Sequence, residues 1–450
     1  MKLKAALAVF GAAVLITAGG CSTADLARDD MLRPPKTMGD EAEIEALIAQ
    51  TAPKGYTLKY PKSGSYRSAI IMHDLDGDNV NEAIAFFRDK ENTTGIHMLV
   101  MYESSGKWMA SDDFVTETTD VDCVEFADIN DNPSQEIFVG FATYTSNVNF
   151  LSVYTYENGK TQTIQAGQNY SAFYCGNLDG SGKSKVITLS LFTPENEAKA
   201  TLLEYDSATA SLFAKASTPL DPNVVSYRSM LLTDLGNNQR GLVVDGVLSN
   251  GSMNTQVLYF NKELNLLRNP LNKEKSANPT RRTEAILSAD INNDMKIEIP
   301  VVSTLPYNNT NKALKSANQI LWNTFSTEKE ELLPVQRTAV NYAYNYTIKI
   351  PETWLAGTFT ALVNESGDLL SFYEWSKDGV GEKLFEIRAF KVADWDQGKG
   401  IDGYTLIYKD TRNAFAFVNL SADKELALTD DNIKTAFAQL GSASASTNKS

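Results

Sequence analysis

Histidine and cysteine are scarce in this 450-residue sequence. Only His73 and His97 occur, which leaves almost nothing from which to build a Ser-His-Asp or Cys-His system, or a metal centre with several imidazole ligands. The three cysteines, Cys21, Cys123 and Cys175, are too few for a disulfide-built scaffold. Basic residues are outnumbered, 41 Lys and Arg against 56 Asp and Glu, and the formal charge is −15. Such a surface repels nucleic acid and anionic lipid and favours cations. Long apolar runs are also missing. The run from Ala5 to Ile16 falls short of the ~20 residues that span a bilayer. No catalytic residue set is expected from this composition.

The run does have the layout of a cleaved export signal. Lys2 and Lys4 precede it, and Thr17-Ala18-Gly19-Gly20-Cys21 follows as a small-residue cleavage site. Ala-Gly-Gly-Cys resembles the lipobox of bacterial lipoproteins, with Ala18 where leucine is usual. That resemblance implies a signal peptide over 1–20 and acyl chains on Cys21, which anchor a protein stably when two or more are present. Loss of Lys2 and Lys4 with the signal takes the charge from −15 to −17. Residues 21–56 read as a lipidated tether, with Pro34-Pro35, and a short amphipathic helix from Glu41 to Gln50.

From Tyr66 the sequence repeats. Each copy has an apolar strand, a loop rich in Asp, Asn and Gly, and a second apolar strand, and the copies start at Tyr66, Val121, Ser171, Tyr227 and Thr283. Their loops open at Asp74, Asp128, Asn177, Asp234 and Asp290, at intervals of 54, 49, 57 and 56 residues. Another strand pair lies between loops, as in MLVMYESSGKW from Met98 and LSVYTYENGK from Leu151. Four short strands per unit make a propeller blade. The expected fold is therefore mainly β: a propeller of about five blades over 57–338, then a small α+β domain over 339–440 and a tail over 441–450. The segment from Thr57 is expected to close the ring by pairing into the last blade.

The loops carry the metal chemistry. Calcium takes six to eight oxygens, and side chains at positions 1, 3 and 5, a carbonyl at 7 and a carboxylate at 9 supply them. The first loop offers Asp74, Asp76, Asp78, the carbonyl of Val80 and Glu82; the fifth offers Asp290, Asn292, Asp294, the carbonyl of Lys296 and Glu298. The second has Asp128, Asn130, Asn132 and Glu136, with fewer charges. The third has Asn177, Asp179 and Ser181 but Lys185 at position 9, and the fourth, around Asp234 and Asn238, is short and lacks the acid; neither is expected to hold calcium. The same aspartates would also serve as turn caps. A loop that wraps its ion leaves no open position, so the ion's role would be structural. His73, beside Asp74, is expected to pack rather than to ligate. Cys123 and Cys175 lie in apolar strands and either stay free or pair.

These loops resemble FG-GAP or integrin-type repeats with DxDxDG calcium loops over about 270 residues. In the tail, strands are expected at Leu369 to Trp375, Leu384 to Phe390, Tyr404 to Tyr408 and Ala414 to Leu420, and a helix after Thr429. Tyr346, Ile350, Pro351 and Trp354 are similar to the opening of C-terminal domains that follow repeats in clostridial lipoproteins. Asp394-Trp395-Asp396 leaves a second reading open, with the tail as blades six and seven. The mature chain as a whole resembles VCBS/FG-GAP repeat lipoproteins of clostridia, which implies a lipid-anchored extracytoplasmic protein with structural calcium. Its expected role is binding an extracellular protein or glycan, or scaffolding. The alternative is a glycan-active enzyme using two carboxylates.

Overall fold

The computed structural model describes residues 39–440 except 92–94, 144–147, 179, 274–276 and 309–310. The export signal, Cys21, Asp179 and the tail over 441–450 lie outside the described residues. The fold is mainly β, a series of antiparallel sheets in chain order. The first holds Thr57–Lys59, Ile70–His73, Glu82–Arg88, Gly95–Ser104 and Lys107–Glu117. The second is the meander Asp120–Ala127, Glu136–Ala142, Asn149–Glu157 and Lys160–Tyr170. The third is Ala172–Gly176, Lys185–Ser190, Lys199–Asp206 and Ser211–Pro219, and the fourth Val224–Asp234, Arg240–Leu248, Met253–Asn261 and Leu266–Arg268.

Within each meander the second strand reads as a continuous apolar run because both of its faces are covered. In Glu136–Ala142, Ile137, Val139 and Phe141 pack with Ile84, Phe86 and Val100 of the first sheet, whereas Phe138 packs with Val186 and Leu203 of the third. The same alternation carries Ile187 and Leu202 onto Leu242 and Val244, and Val243 and Val257 onto Ile299 and Phe325. Sheets therefore stack face to face in chain order. Last strands such as Lys107–Glu117 alternate between half-buried and exposed, as edge strands do. The outer face of the first sheet, Ala83, Ala85, Phe87, Leu99 and Met101, is covered by Ile44 and Ile48 of the helix Asp40–Thr51. Alanine at two of these positions lets the helix lie close.

Three expectations need correction. Thr57–Lys59 does not pair into the last repeat; it lies on Phe86, Phe87 and Arg88, end to end with Ile70–His73 on the same edge. The fifth repeat lacks its first strand, and only the bridge Ala289 to Glu298 remains of it. The boundary at 338/339 falls inside the strand Glu331–Asn341. That strand belongs to a fifth sheet with Ile299–Thr304, Asn318–Ser326, Tyr346–Lys349 and Phe437–Gln439. The tail builds most of a sixth sheet, Phe359–Asn364, Leu369–Ser376, Gly379–Lys391, Asn413–Asn419 and Thr405–Lys409, with Leu314–Ser316 from before the boundary at its edge. Tyr346, Ile348 and Trp354 are buried against Phe372, Phe385 and Phe415, joining the fifth and sixth sheets. Asp394 and Asp396 sit in the short helix Val392–Asp396. Thr429 caps Asp430–Ala436 in a box with Asn432. Among the described residues no helix is long and apolar enough to cross a membrane.

Candidate metal centre

In the first four repeats the Asp-rich loop joins the first two strands, in the fifth it leads from the Ala289 bridge into Ile299–Thr304, and the loops turn on left-handed residues. In the first loop these are Gly77 at φ 78 and Asn79 at φ 69, and in the fifth Asn293 at φ 61 and Met295 at φ 66. Asp74 accepts from the backbone N–H of Gly77 at 2.8 Å and of Asn79 at 2.9 Å, and Asp78 accepts from Val80 N–H at 2.7 Å. Asp290 accepts from Asn292, Asp294 and Met295 N–H groups, and Asp294 from Lys296 N–H at 2.9 Å. Where position 9 is a glutamate, in the first, second and fifth loops, it follows one rule. Glu82, Glu136 and Glu298 each turn one oxygen back to the N–H at position 2, of Leu75 (2.8 Å), Ile129 (3.0 Å) and Ile291 (3.0 Å).

The loops differ in what they leave unsatisfied. Asp74, Asp76 and Asp78 bring one carboxylate oxygen each within 4.8 Å of the others, the sole such trio of metal-ligating side chains among the described residues. Like charges that close favour a bridging cation or a proton. Burial, with Asp78 and Asp74 adding repulsion, raises the pKa of Asp76. In the fifth loop Glu298 is fully buried, and its Oε1 has no hydrogen-bond partner. An orphaned carboxylate oxygen inside a protein is costly unless a cation or proton meets it. Burial pushes Glu82, Glu136 and Glu298 each to about 7 despite the hydrogen bond each accepts from a backbone N–H.

The second loop closes on itself. Pro133 replaces the left-handed residue at position 6, a conformation its ring forbids, and Asn130 Nδ2 donates to Glu136 Oε1 at 2.7 Å, where a cation's ligand oxygen would be. Thr155 Oγ1 lies on the same oxygen at 3.4 Å. In the third loop Lys185 forms an ion pair with Glu204, which Lys215 also approaches at 3.3 Å. The chain there supplies its own cation. Asp234 of the fourth loop caps a turn, accepting from Gly236 N–H at 2.8 Å.

Contacts between loops were not legible in the sequence. Gln135 N–H donates to Leu75 O (2.8 Å), Ser184 N–H to Asp128 O (2.9 Å), Arg240 to Asn177 O (3.5 Å) and Ile297 N–H to Thr233 Oγ1 (2.9 Å), so each loop region bonds to the repeat before it. His73 belongs to this row: its Nε2 pairs with Gln135 Oε1 at 2.9 Å and its ring stacks on Phe126. Cys123 and Cys175 are free thiols.

A second buried site was missed altogether. Asp245, inside the apolar strand Arg240–Leu248, and Arg282 pair at 2.9 Å with both side chains fully buried. Asp245 also accepts from Thr255, Ser229 and Ser288, including the Ser288 N–H at 2.7 Å. Arg282 donates to the carbonyls of Ile286 (2.6 Å) and Thr280 (2.9 Å) and to Thr255 Oγ1 (3.0 Å). A carboxylate in the middle of LVVDGV was the signal. This network holds the 280–288 segment against the fourth sheet, in the stretch where the fifth repeat has no first strand.

No family model and no curated protein matches the chain. Solved structures it is similar to include a protein from Lactobacillus plantarum, 9% identical, with 73% of this chain and 94% of that one covered and a TM-score of 0.28. Saccharomyces cerevisiae Sqt1 is 10% identical, with 80% and 86% covered and a TM-score of 0.33. The Dos1 propeller is 12% identical, with 83% and 85% covered and a TM-score of 0.27.

Proposed function

We propose that the chain is an extracytoplasmic lipoprotein, anchored through acyl chains on Cys21, that works by binding rather than by catalysis. Its repeat sheets are propeller-type blades, and calcium in the first and fifth loops braces them. The observations that carry the metal are the clustering of one carboxylate oxygen each from Asp74, Asp76 and Asp78 in the first loop, and the unpartnered, buried Glu298 Oε1 in the fifth. These donors are all oxygens, the set that calcium prefers. When bound, the ion would neutralise repelling carboxylates; Asp74, Asp76, Asp78 and Glu82 would hold it in one loop, and Asp290, Asn292, Asp294 and Glu298 in the other. Because each loop region is bonded to its neighbour, stiffening a loop also stiffens the stack.

The test is a calcium titration by calorimetry and thermal melting on the chain from residue 22, chelated and then repleted. Two sites and a rise in melting temperature are expected, with Asp74→Ala and Asp290→Ala each losing one. No heat and no shift would reduce the loops to turn caps. The anchor is tested apart from the metal: Cys21→Ser in the full chain should abolish labelling by a fatty-acid probe and release the protein from the membrane fraction, and retained labelling would overturn it.

A further inference from the structure

With the 280–288 segment held by Asp245, a cavity of about 800 Å3 lies between residues 285–291 and the face of the fifth sheet. That volume is within the range of small-molecule sites, roughly 300–1,000 Å3. Its two walls differ in chemistry. On the sheet side Gln336, Thr338 and Thr347 line the space beside Trp322, with the Thr347 hydroxyl donating to Ala438 O at 3.5 Å. Trp322 Nε1 donates to Thr338 Oγ1 at 3.2 Å, which orients that hydroxyl and leaves its proton to donate. On the facing side Ile286, Leu287 and Ile291 supply apolar surface beside Ser288 and Asn293, and Leu287 is exposed.

The charge of the ligand follows from what lines the space. Neither lysine, arginine nor histidine is among the lining residues, so a phosphate or carboxylate would meet no counter-charge. The one acid, Asp290, already accepts three backbone N–H groups of its own loop. A wholly apolar ligand would leave the Gln336 amide and the proton of the Thr338 hydroxyl without a partner. An uncharged molecule with hydroxyls on one side and C–H surface on the other satisfies both walls, and a pyranose ring is such a molecule. We propose that this cavity binds a short neutral oligosaccharide. The assignment names a ligand class for the binding role proposed above, and so rests on that reading.

The experiment is saturation-transfer NMR and calorimetry on the chain from residue 22, with maltotriose, cellotriose and mannotriose as neutral probes and trigalacturonate as the anionic control. Titrations run with calcium and with chelator, so a failure of the calcium reading is seen separately from a failure here. Binding of at least one neutral probe, and not of trigalacturonate, is expected. Gln336→Ala, which removes the Gln336 amide from the sheet wall, and Ala438→Trp, which places an indole into the cavity from an exposed wall position, should each weaken it about tenfold or more with unchanged melting. Absence of binding by every neutral probe at millimolar concentration overturns the proposal. So does binding that both variants retain, since the ligand would then sit elsewhere. Binding seen only after removal of residues 441–450 would assign the cavity to the chain's own tail and overturn it as well.

Discussion

Replacing Arg282 by methionine separates the role of the buried ion pair from every question of metal or ligand. Methionine keeps most of the volume but removes the charge. Asp245 would retain its bonds from Ser288, Thr255 and Ser229 with no countercharge, and the carbonyls of Ile286 and Thr280 would lose their donor. Breaking one partner of a buried pair costs roughly 3–5 kcal/mol. With the unfolding entropy of about 2.1 cal/mol/K per residue spread over some 400 residues, 1 kcal/mol shifts the melting temperature by about 1 °C, so a fall of ~4–6 °C is expected. Asp245→Leu with Arg282→Met removes both charges, and should recover stability relative to the single variant. The assay is calorimetric melting together with amide exchange, which should quicken over residues 280–290 in the single variant first. A single variant as stable as the parent, or a double variant less stable than the single, would refute the account of this pair as what holds the segment.

Without a divalent cation, pH should matter in a defined direction. Glu82, Glu136 and Glu298 are raised to about 7 in the fold. The stability their protonated forms contribute is full below the ordinary carboxylate pKa of ~4.3 and lost as pH rises through about 7. Chelated protein should melt lower at pH 8 than at pH 6, and calcium should shrink the difference; equal melting at both values would contradict the burial of these acids. Gly77→Ala is expected to destabilise by about 1–3 kcal/mol, because φ is 78 and an added Cβ would lie 2.8 Å from Pro133 O of the next loop; a neutral result in a denaturant melt would deny that contact. Burial pushes the Cys123 thiol up to about 12 and the Cys175 thiol up as well. The buried Cys123 should not react with a disulfide reagent at pH 8 until the chain is unfolded, and fast native-state labelling of it would contradict that burial.

The loops and the strands around them were readable because their causes are local. Gly77 and Asn79 permit left-handed turns, Asp74 and Asp78 accept nearby N–H groups, and the run IFVGFA that follows Glu136 is apolar because both faces of its strand are covered. What the loops leave unsatisfied was less readable. Asp128, Asn130, Asn132 and Glu136 match the ligand spacing, yet Pro133 redirects the turn and Asn130 takes the Glu136 oxygen. Thr429 announced its helix in the sequence, and the structure added Asn432 as the other half of the cap.

Sequence alone thus determined the elements, the repeat and the chemistry offered by each loop, since these depend on residues within one turn or one strand of each other. Tertiary structure decided which oxygens stay unpartnered, which loop bonds to which, and where a strand is withheld. Asp245 and Arg282 are 37 positions apart and meet only when the fourth sheet has formed. Thr57–Lys59 takes its place beside Phe87 because Ile70–His73 covers only part of that edge. Burial and long-range pairing select among partners that local spacing leaves equal, and in doing so they opened the cavity at the fifth sheet.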